Sequence, residues 1–145
     1  MDIKDIKQLT APCGMDCFNC PVYEKNITLE TKKRMSQRLG IGENEISCHG
    51  CRNQNGYKNL VKECRVLNCV KDMKVEFCSE CLKFPCDAYN PCSDRAEIFP
   101  HNFKLYNLCR IKLIGIENWE KESMEIRNKY FSGKLIPGAG PVLKN

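Results

Sequence analysis

Apolar residues recur at helical spacing in the last third of the chain. Leu105, Tyr106, Cys109 and Leu113 fall on one side of a segment that follows Pro100 and closes at Gly115, which predicts a helix. A second helix follows. Trp119, Ile126 and Tyr130 form its stripe, Ser123 fills the same face, and Glu117, Glu120, Lys121 and Arg127 look outward. The two make a helical hairpin over 100–131. Upstream, Thr28 as N-cap, Glu30 in the first turn and Gly40 beyond the last turn bracket another helix. Its apolar positions, Leu29, Met35 and Leu39, are few, so it is peripheral. Residues 48–99 carry cysteines among Gly, Asn, Pro and short apolar patches such as Val75 and Phe77, a loop-rich texture. Residues 132–145 contain Gly133, Pro137, Gly138, Gly140 and Pro141 and read as an irregular tail. No repeat of fixed period and no low-complexity tract is present, although a cysteine motif recurs.

The predicted architecture is a small, loop-rich α+β domain over residues 1–145, with cysteine knuckles templated by metal and packed against helices. Residues 1–47 hold a cysteine cluster and a helix, 48–99 the knuckle middle, 100–131 the hairpin and 132–145 the tail. At this length one core is the expectation. The hydrophobic set is 42% but includes twelve cysteines, so aliphatic residues are thin for a core of their own. Such cysteine density means disulfides or metal sites. Met1 to Thr10 has no apolar run of signal-peptide length, and no later stretch approaches the roughly 18 apolar residues of a membrane span. A soluble cytoplasmic protein with reduced thiols and no membrane partner is expected. The net charge of +5 invites a nucleic-acid reading, yet it counts every cysteine as neutral. Ten thiolates around three dications would bring the chain close to neutrality.

Three constellations carry the chemistry. Cys13-x3-Cys17-x2-Cys20-Pro21 can reach one ion or cluster without distant help, its fourth ligand coming from elsewhere. This spacing is shared with radical S-adenosylmethionine enzymes, but those set it after the first strand of a far longer barrel. Cys48-His49-Gly50-Cys51, followed by Cys64-x4-Cys69, contains a Cys-x2-Cys knuckle that aims two sulfurs at one point, as tetrahedral zinc requires. Gly50 eases its turn. A second knuckle, Cys78-Ser79-Glu80-Cys81, is followed by Cys86. Two knuckles with intervening thiols are a strong signal for metal. A sequential scheme puts Cys48, Cys51, Cys64 and Cys69 on one zinc and Cys78, Cys81 and Cys86 on another. A ribbon scheme joins Cys48 and Cys51 to Cys78 and Cys81 and leaves Cys64, Cys69 and Cys86 to combine with Cys13, Cys17 and Cys20. Loop-closure entropy leans to the sequential scheme.

The ordered series Cys13-Gly14-Met15-Asp16-Cys17-Phe18-Asn19-Cys20-Pro21-Val22-Tyr23, Cys48-His49-Gly50-Cys51, Cys64-Arg65-Val66-Leu67-Asn68-Cys69 and Phe77-Cys78-Ser79-Glu80-Cys81-Leu82-Lys83-Phe84-Pro85-Cys86 resembles a family of small cysteine-rich prokaryotic proteins, the domain of unknown function DUF3795. The run from Asn107 to Trp119 is similar to that family's closing helices, so the resemblance covers residues 12–120. It implies a zinc or iron–sulfur centre and no settled activity. Some relatives carry a further cysteine pair after the tryptophan helix. Gly133 to Asn145 has none, so no extra C-terminal site is expected.

Ordinary roles compete for several residues. Cys109, on the apolar stripe with Leu105 and Leu113, reads as a core thiol. Cys92 either completes the Cys78, Cys81 and Cys86 set or is a loop thiol. His101 is a capping or surface residue before it is a ligand for Cys13, Cys17 and Cys20, and the ring of His49 points away from metal. Lys32, Lys33, Arg34 and Arg38 read as a solvated face, with nucleic-acid binding as the sharper alternative. Tyr23, Tyr57, Phe84 and Tyr89 cover the sites or offer a stacking surface. No phosphate-binding glycine loop and no nucleophile–base set is visible. The sequence thus predicts a zinc-binding, non-enzymatic binding or accessory module with two or three ions on Cys13, Cys17, Cys20, Cys48, Cys51, Cys64, Cys69, Cys78, Cys81 and Cys86, its partner a protein or nucleic acid. The alternative is a small redox protein with an iron–sulfur cluster on Cys13, Cys17 and Cys20.

Overall fold

Thr28 accepts a hydrogen bond from the Thr31 N–H at the start of helix α2 (Leu29–Leu39), and Gly40 closes that helix in the left-handed conformation, as its sequence requires. The computed structural model describes residues 1–59, 63–89, 95–136 and 140–143. Ahead of α2 lies a short helix α1 (Ile3–Gln8), capped by the Asp2 carboxylate and burying Ile6. The middle holds a single helical turn, α3 (Cys51–Gln54), and α4 (Arg65–Met73), which buries Leu67 and Val70. Helices α5 (His101–Ile114) and α6 (Ile116–Ser132) form the expected pair, turning at Gly115. The fold is α+β, mostly helical, with one two-stranded antiparallel sheet of β1 (Lys134–Ile136) and β2 (Gly140–Val142), in register Leu135 to Pro141. Among the described residues no helix is long and apolar enough to cross a membrane.

The helical pair is the floor on which the cysteine-bearing turns stand. Helix α6 packs on α1, and α5 on the 3-10 turns at Cys78–Glu80 and Asp87–Tyr89. Trp119 of α6 is fully buried and meets Phe18 edge-on, centroids 5.8 Å apart. Its indole N–H donates to the Asn107 side-chain oxygen at 3.2 Å, and the Asn107 amide donates to the Gly14 carbonyl at 2.8 Å. This buried chain ties both helices to the loop that carries Cys13 and Cys17. Gly14 sits there at φ +83, and a Cβ would stand 2.7 Å from the Lys104 carbonyl oxygen, so only glycine lets the loop lie so close to α5. On the other side Phe77, Tyr89 and Leu108 form the core cluster.

Four expectations are corrected. Helix α5 presents Phe103, Asn107 and Leu108 to the core, while Tyr106, Cys109 and Leu113 are exposed, so Cys109 is not a core thiol. The Gly14 loop selects that face, and Asn107, polar in sequence, is buried because both ends of its amide are paired. Arg127, expected outward, turns inward to a buried carboxylate. Helix α4 lies in the stretch read as loops, its buried apolar pair too short a signal. The tail carries the only regular strands among the described residues, hidden by its turn-forming glycines and prolines.

Candidate metal centre

Two cysteine turns lie against each other. Cys17–Asn19 is a single 3-10 turn closed by the Cys20 N–H on the Cys17 carbonyl at 3.0 Å. Cys48 enters beside it: Tyr23 and Cys48 form a parallel bridge, and the Glu24 N–H donates to the Cys48 carbonyl at 2.9 Å. Gly50, at φ +90, leaves a Cβ position 4.0 Å from the Cys17 Cβ and 3.2 Å from Leu9, so the 48–51 turn slides under the 17–20 turn. The neighbouring Cys51 is the main reason the Cys17 thiol lies below its ordinary pKa, against burial. Cys51 is correspondingly pushed up, first by Cys17, then by burial.

Burial raises Cys48 to about 11, opposed by the Gly50 N–H and reinforced by Cys17, Cys20 and Glu24. Burial also raises Cys20, opposed by the Val22 N–H and Arg127. The Gln54 amide donates to the Cys48 sulfur at 3.4 Å. Cys17 and Cys48 are buried, Cys20 and Cys51 half-buried.

The second group forms around Cys78. The Cys78–Glu80 turn is closed by the Cys81 N–H on the Cys78 carbonyl at 3.1 Å, and the Cys78 N–H donates to the Pro12 carbonyl at 3.0 Å, which sets Cys78 beside Cys13. Burial raises Cys78 to about 11; the Tyr89 hydroxyl opposes this, and Cys13, Cys69 and Cys86 add to it. Cys13 is raised by burial and drawn back by Lys104 and the Met15 N–H. Here Cys69 and Cys86 are exposed.

The structure therefore brings Cys17 and Cys20 to Cys48 and Cys51, and Cys13 to Cys78. Both the sequential and the ribbon scheme kept Cys17 and Cys20 apart from the 48–51 knuckle, because spacing does not reveal the Tyr23–Cys48 bridge. Cys64 lies against Gly56. Cys81, at the end of the Cys78–Glu80 turn, is half-buried, and Cys92 lies outside the described residues. Among the described residues no three Cys, His, Asp or Glu side chains are placed to hold one ion between them as they stand. The donor set itself fits a thiophilic ion: sulfur only, with backbone N–H donors at Cys13, Cys20 and Cys48.

The flanking histidines are not drawn in. His49 pairs with Glu24 at 2.7 Å on the surface, and His101 opens α5 half-exposed. Asp16 was missed in sequence. It is fully buried beside Cys17, accepts from Arg127 and from the Asn19 amide at 3.1 Å, and burial lifts its carboxyl to about 6 against the pull of Arg127. Arg127 also lies over the Phe103 and Phe131 rings, and the Asn19 amide reaches Ser123 of α6 at 3.0 Å. No charge pattern in the sequence pairs positions so far apart. Tyr23 and Tyr89 are buried, Tyr23 bridged to Cys48 and Tyr89 in the cluster on which Cys13 and Cys78 pack.

The profile of the family described as "Protein of unknown function (DUF3795)" matches residues 9–91, more than half of the chain. The chain belongs to the DUF3795 family. The match takes in all ten thiols expected to bind metal and stops before α5 and α6, so the helices that resembled the closing part of DUF3795 proteins fall outside it. Neither a curated protein nor a solved structure is measurably similar to the chain.

Proposed function

We propose that this DUF3795 protein binds zinc, that the metal is mainly structural, and that the chain works as a binding or accessory module. The observation that carries the reading is the apposition of the Cys17–Cys20 and Cys48–Cys51 turns through the Tyr23–Cys48 bridge and the close approach of Gly50 to Cys17. Four thiols on two tight turns, each steadied by N–H donors, suit tetrahedral zinc. Two of the four are buried; four thiolate ligands leave zinc no open position, the pattern of a structural site. Zinc would bring two positive charges among thiols whose mutual repulsion and burial otherwise keep them protonated.

Metal analysis of protein purified without added metal tests this. At least one zinc per chain is expected, lost in Cys17→Ser and Cys48→Ser. Less than one zinc in the unaltered protein, with the fold surviving a strong chelator, overturns the reading, and a brown, dithionite-bleached preparation replaces it with the iron–sulfur alternative.

A further inference from the structure

Gly133 brings the tail back across α6. Its N–H donates to the Lys129 carbonyl at 3.0 Å, and a Cβ at this position would stand 2.3 Å from that carbonyl oxygen and 3.0 Å from the Pro141 Cβ. A larger residue would push the hairpin off the helix. Strand β2 therefore packs on α6, and Gly140 and Pro141 wall a cavity of about 540 Å³ whose other sides are α5 and α6. Small-molecule sites span about 300–1,000 Å³ and are lined mainly by apolar and aromatic side chains with a few polar groups. This cavity has that make-up: Phe103, 2% exposed, is its buried base, the Tyr130 ring lies 5.3 Å from Phe103, and Tyr106 and Ile126 extend the lining. It contains no cysteine and lies outside the stretch matched by the family profile.

The polar lining says what kind of molecule would fit. Its charges are already matched: Glu122 is held by Arg110, and Glu125 by Lys129 at 2.6 Å. Lys129 is the only cation of the lining among the described residues, and with Glu125 upon it nothing there is left to hold a phosphate. The Tyr130 hydroxyl is spent on the Ala96 carbonyl at 3.2 Å. Asn102 and Tyr106 are different. They stand four residues apart on one face of α5, both line the cavity, and neither side chain has a hydrogen-bond partner among the described residues. A carboxamide offers one donor and one acceptor side by side, the complement of a lactam edge with its N–H beside its C=O. Aromatic side chains supply the stacking surface that flat rings take. We infer that the cavity between α5, α6 and β2 binds an uncharged planar heterocycle with a lactam edge, a free nucleobase or nucleoside, its ring against Tyr106 and Tyr130 and its edge on the Asn102 amide. The matched carboxylates of α6 set it against nucleotides and nucleic-acid chains.

Amide NMR titrations of the full chain, as purified, test this with three probes: inosine, purine riboside, which keeps the ring and sugar but lacks the lactam, and inosine 5′-monophosphate. Inosine should give saturable shifts in α5 and α6 around Asn102, Tyr106 and Ile126, with a dissociation constant of about 1 mM or tighter. Purine riboside should bind about 5-fold more weakly, the loss of one hydrogen bond, and the monophosphate more weakly than inosine. Asn102→Ala, at an exposed position, should abolish the preference for inosine over purine riboside while the ring still binds. Ile126→Trp should fill the cavity and remove binding of all three, with the remaining amide spectrum kept as the sign of an intact fold. Absence of saturable inosine shifts in the unaltered protein overturns the inference. Equal binding of inosine and purine riboside overturns the lactam edge, and tighter binding of the monophosphate overturns the choice of an uncharged ligand. The zinc content of the same samples is read separately, so failure here leaves the metal reading standing.

Discussion

Arg127 shows how much one side chain carries when its partner is buried. Asp16 is inaccessible and adjacent to Cys17, and Arg127 is its cationic neighbour, 11% exposed. Removing one member of a buried pair leaves an uncompensated charge, at a cost of about 3–5 kcal/mol. Arg127→Met should therefore lower the urea midpoint by most of the stability that a small domain has, with Asp16→Asn in the same background recovering part of it. If the single variant unfolds at the parent's midpoint, the ion pair is not what seats the Cys17 turn on α6. Gly14→Ala is the complementary residue-scale test. The left-handed backbone costs an alanine about 1 kcal/mol, and its Cβ would also press on the Lys104 carbonyl and on Leu108 at 2.9 Å. A loss of about 2–4 kcal/mol is expected from strain and overpacking together, checked by the same denaturation.

At the scale of elements, α5 and α6 are joined by a buried polar chain and a surface ion pair of unequal weight. Asn107→Ala would strand the Trp119 indole N–H and the Gly14 carbonyl, a loss of about 2–4 kcal/mol for two broken buried hydrogen bonds. The Arg110–Glu122 pair is bidentate at 2.6 and 2.9 Å but about a third exposed, so Arg110→Ala should shift thermal stability only slightly, and less at high salt. Its hydrogen bonds hold the Glu122 carboxyl below the usual carboxylate range. The stabilisation is therefore present above the unfolded carboxylate pKa and lost as the pH falls through the lower folded value. Comparing melting of the parent and Arg110→Ala at neutral and acidic pH should show the difference between them vanish in acid.

The molecule as a whole joins a thin apolar cluster to many thiols, and metal is its expected reinforcement. Stripping zinc with a strong chelator should lower the melting temperature markedly, far beyond the effect of Arg110→Ala, and zinc should restore it. Much of the frame was legible in the sequence because its signals are local: Thr28 and Gly40 bound α2, and Trp119 with Ser123 mark the buried face of α6. The face of α5 was not, since a neighbouring loop chooses Asn107 over the more apolar Tyr106. The grouping of thiols was equally hidden. Spacing reports which cysteines share a turn, whereas Tyr23 with Cys48 and Pro12 with Cys78 are backbone partners across the chain.

Those two backbone partnerships are nested, and the nesting sets an order of events on the ribosome. Everything the inner pairing needs, from Cys17 to Cys51, precedes the outer partner Cys78 in the chain. A nascent chain can fasten its first turns together while the later cysteines are still within the exit tunnel. The inner fastening then shortens the free segment between Pro12 and Cys78, and a shorter segment closes at lower entropic cost. Synthesis from the N-terminus thereby favours the inner set of sulfurs over exchanges with those that emerge later.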